Sequence, residues 1–150
     1  MKKILVSECL YGGKPVRYDG KSKQETDPRF LKWKEEGRLV KICPEVFGGL
    51  SVPRTDAQRQ PDGKVVTRYG DDVTEAYTKG AHEALRLAKK HDVAFCILKS
   101  KSPSCGSRLI YDGSFSGKMI TGQGITAELL ILNGFTVLDE TRLDEAEEML

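Results

Sequence analysis

The sequence predicts an α/β protein, a Rossmann-like three-layer sandwich around a mostly parallel sheet. Three observations lead there. Short apolar runs recur along the chain, Ile4-Leu5-Val6, Leu39-Val40-Lys41-Ile42, Val93-Ala94-Phe95-Cys96-Ile97-Leu98 and Phe135-Thr136-Val137-Leu138, and strands covered on both faces read as such runs. Segments of helical period lie between them, and strands alternating with helices build a parallel sheet with helices on its faces. No internal repeat, low-complexity tract or long linker interrupts the 150 residues, whose 39% hydrophobic and 31% charged content fits one domain over 1–150.

The elements follow in order. Residues 3–8 form a buried strand, and after a loop with Gly12, Gly13 and Val16-Arg17-Tyr18-Asp19-Gly20 a helix opens at Asp27-Pro28. Asp27 can cap it and Pro28 suits its first turn. Phe30, Leu31 and Trp33 supply its apolar face, and Gly37 stops it. Strand two is 39–42. From Cys43 to Thr67 the chain holds three prolines, three glycines and many charges, which predicts a long ordered loop, with one short strand near Val65-Val66, of the kind that carries function. Asp72 or Thr74 caps the clearest helix, where Ala76, Tyr77, Ala81, Ala84, Leu85 and Ala88 recur near a 3.6-residue period up to Lys90. The third strand lies in 93–98. Residues 108–119 resemble a small hairpin turning at Asp112-Gly113, 125–133 a helix closed by Gly134, 135–138 the fourth strand, and 143–150 a last, acidic helix.

Charge and composition narrow the function. Lys plus Arg number 24 against 22 Asp plus Glu, a formal charge of +2, which argues against a broad nucleic-acid surface. The apolar run behind Met1-Lys2-Lys3 is three residues long before Ser7 and Glu8, too short for a signal peptide or membrane span. The expectation is a cytoplasmic protein with reduced thiols, so its four cysteines are ligands, nucleophiles or core residues rather than disulfides.

Three of the four stand where a strand gives way to a polar, glycine- or proline-rich loop: Cys9, Cys43 and Cys105. If the strands are parallel neighbours, all three thiols emerge at the carboxyl edge of the sheet, where open α/β sheets bind ligands. Cys96 lies inside an apolar run and reads as a small buried hydrophobe. His82 and His91, in or just after the long helix, read as solvated surface residues. Intervals of 34 and 62 residues contain no CxxC pair, so zinc ribbons and ferredoxin-type local motifs are absent. Three thiolates with no fourth protein donor suit a 4Fe-4S cluster with one iron left open as a Lewis acid for a soft sulfur atom. Three unrelated loop cysteines are the plain alternative.

Five motifs in order, Ser7-Glu8-Cys9-Leu10-Tyr11-Gly12, Val16-Arg17-Tyr18-Asp19-Gly20, Cys43-Pro44-Glu45-Val46-Phe47-Gly48-Gly49-Leu50, Pro53-Arg54 and Lys99-Ser100-Lys101-Ser102-Pro103-Ser104-Cys105-Gly106, resemble the thiouracil desulfurase family, long catalogued as a domain of unknown function. The resemblance covers nearly the whole chain. It implies a non-redox desulfidase that converts 2-thiouracil, or a related thiolated pyrimidine, to uracil and sulfide, with a 4Fe-4S cluster held by Cys9, Cys43 and Cys105 and the substrate sulfur on the open iron. It places Ser102 where it orients water or a substrate carbonyl, although a turn-forming serine beside Pro103 is the competing reading. Glu45, two residues past a cysteine, is the candidate general acid/base, or else a cap. Arg17, Asp19, Arg54 and Ser100 are candidates for the polar edges of the pyrimidine, and Arg17 with Asp19 can equally form a loop-bracing salt bridge. Lys99 and Lys101 can offset the charge of a cluster on three thiolates. The partner expected is a small thiolated pyrimidine, with no membrane and no nucleic acid, and nothing in the pattern sets an oligomeric state. An iron-sulfur sensor or sulfide carrier, and a metal-free persulfide transferase, remain the alternatives.

Overall fold

The structure, a computed structural model, describes residues 1–21 and 23–150. Four parallel strands form its sheet, β1 (Ile4–Ser7), β2 (Leu39–Ile42), β5 (Phe95–Ile97) and β8 (Val137–Leu138), in the order β2-β1-β5-β8. Ile4 stands opposite Leu39 on one side and Phe95 on the other. Strand β1 is therefore central, and the chain leaves it first to β2 and later to β5 on its far side. That reversal is a topological switch point, with a crevice at the carboxyl ends of the strands.

Alternation along each strand sorts its side chains between two cores. Leu5, Cys96, Leu98 and Val137 pack with Ala84 and Ala88 of α4 (Thr74–Lys90) and with Ala127 and Leu130 of α5 (Ile125–Leu132). Ile4, Val6, Phe95, Ile97 and Leu138 face the other way, onto Phe30 and Trp33 of α2 (Pro28–Glu35) and Leu143 and Ala146 of α6 (Leu143–Glu148). The expected three layers are thus present. Ile4, Leu5, Phe95, Ile97 and Leu98 are fully buried, each worth about 1.5–3 kcal/mol relative to exposure.

The predicted cap of α2 forms, whereas α4 is capped at Val73, between the two expected residues. The Asp27 side chain accepts the Arg29 N–H at 2.9 Å with Pro28 in the first turn of α2, and Gly37 turns the chain out at φ +74°. At the start of α4 the Thr74 N–H donates to the Asp72 side chain at 2.9 Å, while the Thr74 hydroxyl accepts from the Val65 N–H at 2.9 Å.

Several details differ from the sequence expectation. The first strand ends at Ser7, because Glu8, Cys9 and Leu10 coil into the short helix α1 (Glu8–Tyr11). The long segment after Cys43 contains a second short helix, α3 (Pro44–Phe47), and a strand β3 (Ala57–Arg59) paired antiparallel with β4 (Val65–Thr67). The later hairpin pairs β6 (Leu109–Tyr111) with β7 (Met119–Thr121) across a wide turn, rather than closing tightly at Asp112-Gly113. The fourth strand is reduced to Val137 and Leu138.

Candidate active site

Each of the three cysteines follows one of three adjacent strands. Cys9 lies in α1 just past β1, Cys43 comes directly after β2 and precedes α3, and Cys105 lies in the loop after β5. All three border one cavity of about 480 Å³. His82 and His91 are exposed, and Cys96 is wholly buried in the core. Among the described residues, no three His, Cys, Asp or Glu side chains gather round a single ion.

Burial raises all three thiols. Cys9 is pushed up to about 12, with Cys43 the next contributor. Cys43 is raised by burial and lowered in part by the backbone N–H groups of Val46 and Glu45, which face its sulfur from α3. Cys105 is raised by burial, eased by a hydrogen bond with Ser7, and raised again by Cys9, Glu45 and Cys43. Three neighbouring thiols that burial raises are soft donors that a bound metal would have to deprotonate. A soft polynuclear group would fit this donor set better than a single ion, since each sulfur could then hold a different metal atom.

Glu45 borders the same cavity, in the first turn of α3. One carboxylate oxygen accepts from Arg54 Nη2 at 2.6 Å, and the other accepts the hydroxyl of Tyr77 from α4. Arg54 is almost buried, spends Nη1 on the carbonyls of Val16 (3.0 Å) and Ser51 (2.9 Å), and leaves its buried Nε without a partner. It is thus a strut behind Glu45 and the loops. The close approach of α3 to α4 depends on glycine: a Cβ at Gly80 would stand 1.9 Å from the Pro44 carbonyl oxygen, and one at Gly48 2.0 Å from that of Ala76.

The other candidates divide. Ser102 Oγ accepts the backbone N–H of Ser104 and of Cys105, both at 3.0 Å, so it builds the turn that presents Cys105 while also bordering the cavity. Arg17 and Asp19 pair through two contacts, at 3.2 and 3.3 Å, which holds Asp19 below the usual carboxylate range; of the two only Arg17 borders the cavity. Ser100 borders it too, and its hydroxyl and N–H both donate to Glu140 at 2.8 Å. Glu140 also takes Lys99 Nζ at 2.8 Å. Tyr77 and Glu140 escape the sequence reading: Tyr77 counts there as one more apolar position of α4, and Glu140 carries no motif of its own.

The family model described as 2-thiouracil desulfurase matches residues 4–142. This chain belongs to the 2-thiouracil desulfurase family. It is therefore placed among enzymes, and the match spans every strand and all three cavity cysteines. It is similar to the uncharacterized protein YbbK of Bacillus subtilis (strain 168), at 43% identity over 151 residues, covering 95% of this chain and 98% of that one. A solved structure named [4Fe-4S]-dependent thiouracil desulfidase TudS superposes with a TM-score of 0.94 at 44% identity, covering 100% of both chains. No helix among the described residues is long and apolar enough to cross a membrane.

Proposed function

We propose that the cavity removes sulfur from 2-thiouracil or a related thiolated pyrimidine, giving uracil and sulfide, with a 4Fe-4S cluster held by Cys9, Cys43 and Cys105. The observation that carries this reading is the meeting of three thiols, Cys105 buried and Cys9 and Cys43 half-buried, from the ends of three adjacent parallel strands, on one cavity with neither histidine nor fourth cysteine. Held by three thiolates, such a cluster would supply a Lewis-acidic iron without a protein ligand, suited to a thiocarbonyl sulfur.

The remaining chemistry is proton traffic. Exchanging C=S for C=O consumes one water and releases one hydrogen sulfide, with no net electron transfer. Glu45 accepts a proton from the attacking water and returns it as the C–S bond breaks, while Arg54 and Tyr77 fix its carboxylate at the wall. Ser102, whose Oγ accepts two backbone N–H groups, still has its own hydroxyl proton to offer a substrate oxygen or the water. Arg17 and Ser100 border the space left for the polar edge of the ring, with Asp19 and Arg54 bracing the loops around them.

The test is anaerobic reconstitution with iron and sulfide analysis, followed by a 2-thiouracil assay, since aerobic handling can strip such a cluster. Iron-dependent release of uracil and sulfide is expected. Iron uptake without turnover would favour a sensor or sulfide carrier, and turnover by iron-free protein would favour persulfide chemistry; either result overturns the reading.

A further inference from the structure

We propose that Phe115 determines specificity for a planar heteroaromatic ring: held at the cavity by Gln58, its ring is the flat wall on which the substrate ring stacks. This rests on the cavity being the desulfuration site. Phe115 lies outside the cysteine loops, ten residues past Cys105 in the wide turn between β6 and β7, and it borders the same cavity as Cys9, Cys43 and Cys105.

Its backbone is unusual. Phe115 has φ +57°, a left-handed conformation that bulky residues rarely take. The flanking Gly113 and Gly117, at +96° and +83°, meet the same demand without a side chain. The turn alone thus asks for nothing that glycine would not provide, and strain of this kind concentrates at functional positions.

The turn is held from a distance. Gln58, nearly buried in β3, accepts the N–H groups of Gly113 (3.0 Å) and Phe115 (3.2 Å) on its side-chain oxygen. Gln60 Nε2 donates to the Gly113 carbonyl at 3.1 Å. The Arg68 guanidinium lies over the Phe115 ring, 5.0 Å from its centroid, and is itself fixed by Asp56 at 2.8 and 3.1 Å. Phe115 belongs to neither of the two cores that cover the sheet. A half-buried aromatic ring, outside the core, immobilised by β3 and Arg68 and bordering a cavity, is suited to stacking a base, and such stacking is sequence-tolerant because every base offers a π face.

The test compares Phe115→Leu, Phe115→Gly and Phe115→Tyr in anaerobically reconstituted protein. KM and kcat for 2-thiouracil are measured alongside the affinity for uracil by calorimetry. Phe115→Leu keeps apolar bulk and loses the ring face, Phe115→Gly fits the left-handed backbone, and Phe115→Tyr keeps the face. The expected result is a rise of roughly ten- to hundredfold in KM and in the uracil Kd for Leu and Gly. Iron content and kcat should stay unchanged, and wild-type values should return in Tyr. Gln58→Leu should move KM in the same direction by less. If Leu binds both compounds as tightly as Tyr, or if kcat falls while KM and Kd stay put, Phe115 is not the stacking wall. Wild-type protein that binds uracil but turns over no 2-thiouracil would instead sink the desulfuration reading, and the calorimetric arm would still decide the role of Phe115.

Discussion

Cys96 and Cys105 lie close together on the same stretch of chain, one inside β5 and the other in the loop just beyond it, and both are buried. Burial raises both thiols. For Cys96 it is the sole cause, and it pushes the thiol up to about 12. Cys105 meets the same burial but also a hydrogen bond from Ser7, which lowers it, and the neighbouring Cys9, Glu45 and Cys43, which raise it further. Burial alone therefore does not separate a core cysteine from a ligand. The cavity does: both pack into the same apolar core, but only Cys105 also borders a cavity with two more thiols and Glu45.

The sharpest way to break this comparison is to remove each sulfur in turn. Cys105→Ala should lower iron content after reconstitution and cut turnover more than about a hundredfold, beyond the loss expected for an outer-shell partner. Cys96→Ala should leave iron and turnover intact and cost about 1 kcal/mol in a urea titration, the usual size for a small deletion in a core. Equal iron loss in both variants would end the distinction drawn between them.

Next in size is the carboxylate that accompanies the thiols. Glu45→Gln preserves shape and much of the Arg54 and Tyr77 geometry but cannot carry the proton. The expected fall in kcat is roughly a hundredfold or more, the ordinary contribution of general acid–base catalysis, with iron content unchanged. Full turnover would remove Glu45 from the chemistry and leave it a bracing residue.

A third test bears on how α4 supports the site. Gly80→Ala would drive a methyl group into the Pro44 carbonyl oxygen, and overpacking of this kind typically costs about 1–3 kcal/mol. Because α3 carries Glu45 and follows Cys43, the variant should also lose turnover. A methyl group on the exposed side of α4, as in Lys89→Ala, should do neither. Thermal melts with parallel assays would check both.

The residues that allow these contrasts were unequally legible in the sequence. Apolar runs and the α4 period announce the sheet and its main helix, because burial on two faces or one stripe leaves a mark of fixed spacing. The exits of Cys9, Cys43 and Cys105 at one sheet edge follow from parallel strands alone, whatever their order. Helices α1 and α3, with four residues each, are too short to show a period, and β3 is disguised by the polar Gln58 and Arg59. Tyr77 reads as an apolar contact, since nothing local reveals that its hydroxyl meets Glu45 across two helices. Glu140 and Phe115 gain their surroundings only when distant loops fold over the cavity.

The smallest effect expected lies in the alkaline limb of stability, where the isolation of Cys96 makes its sign clear. Burial pushes its folded thiol up to about 12, whereas an unfolded cysteine titrates near roughly 8.5. Above that lower value the unfolded chain gives up the proton while the folded chain keeps it, so the folded state binds more protons and stability falls as pH rises. The stabilising contribution of Cys96 is fully present below the unfolded value and drains away toward the folded one. The advantage of wild type over Cys96→Ala in urea midpoint should therefore narrow as the pH rises above about 8.5. A constant advantage would mean that the thiol ionises as readily in the core as in water, and that the apolar surroundings assigned to Cys96 are not what it experiences.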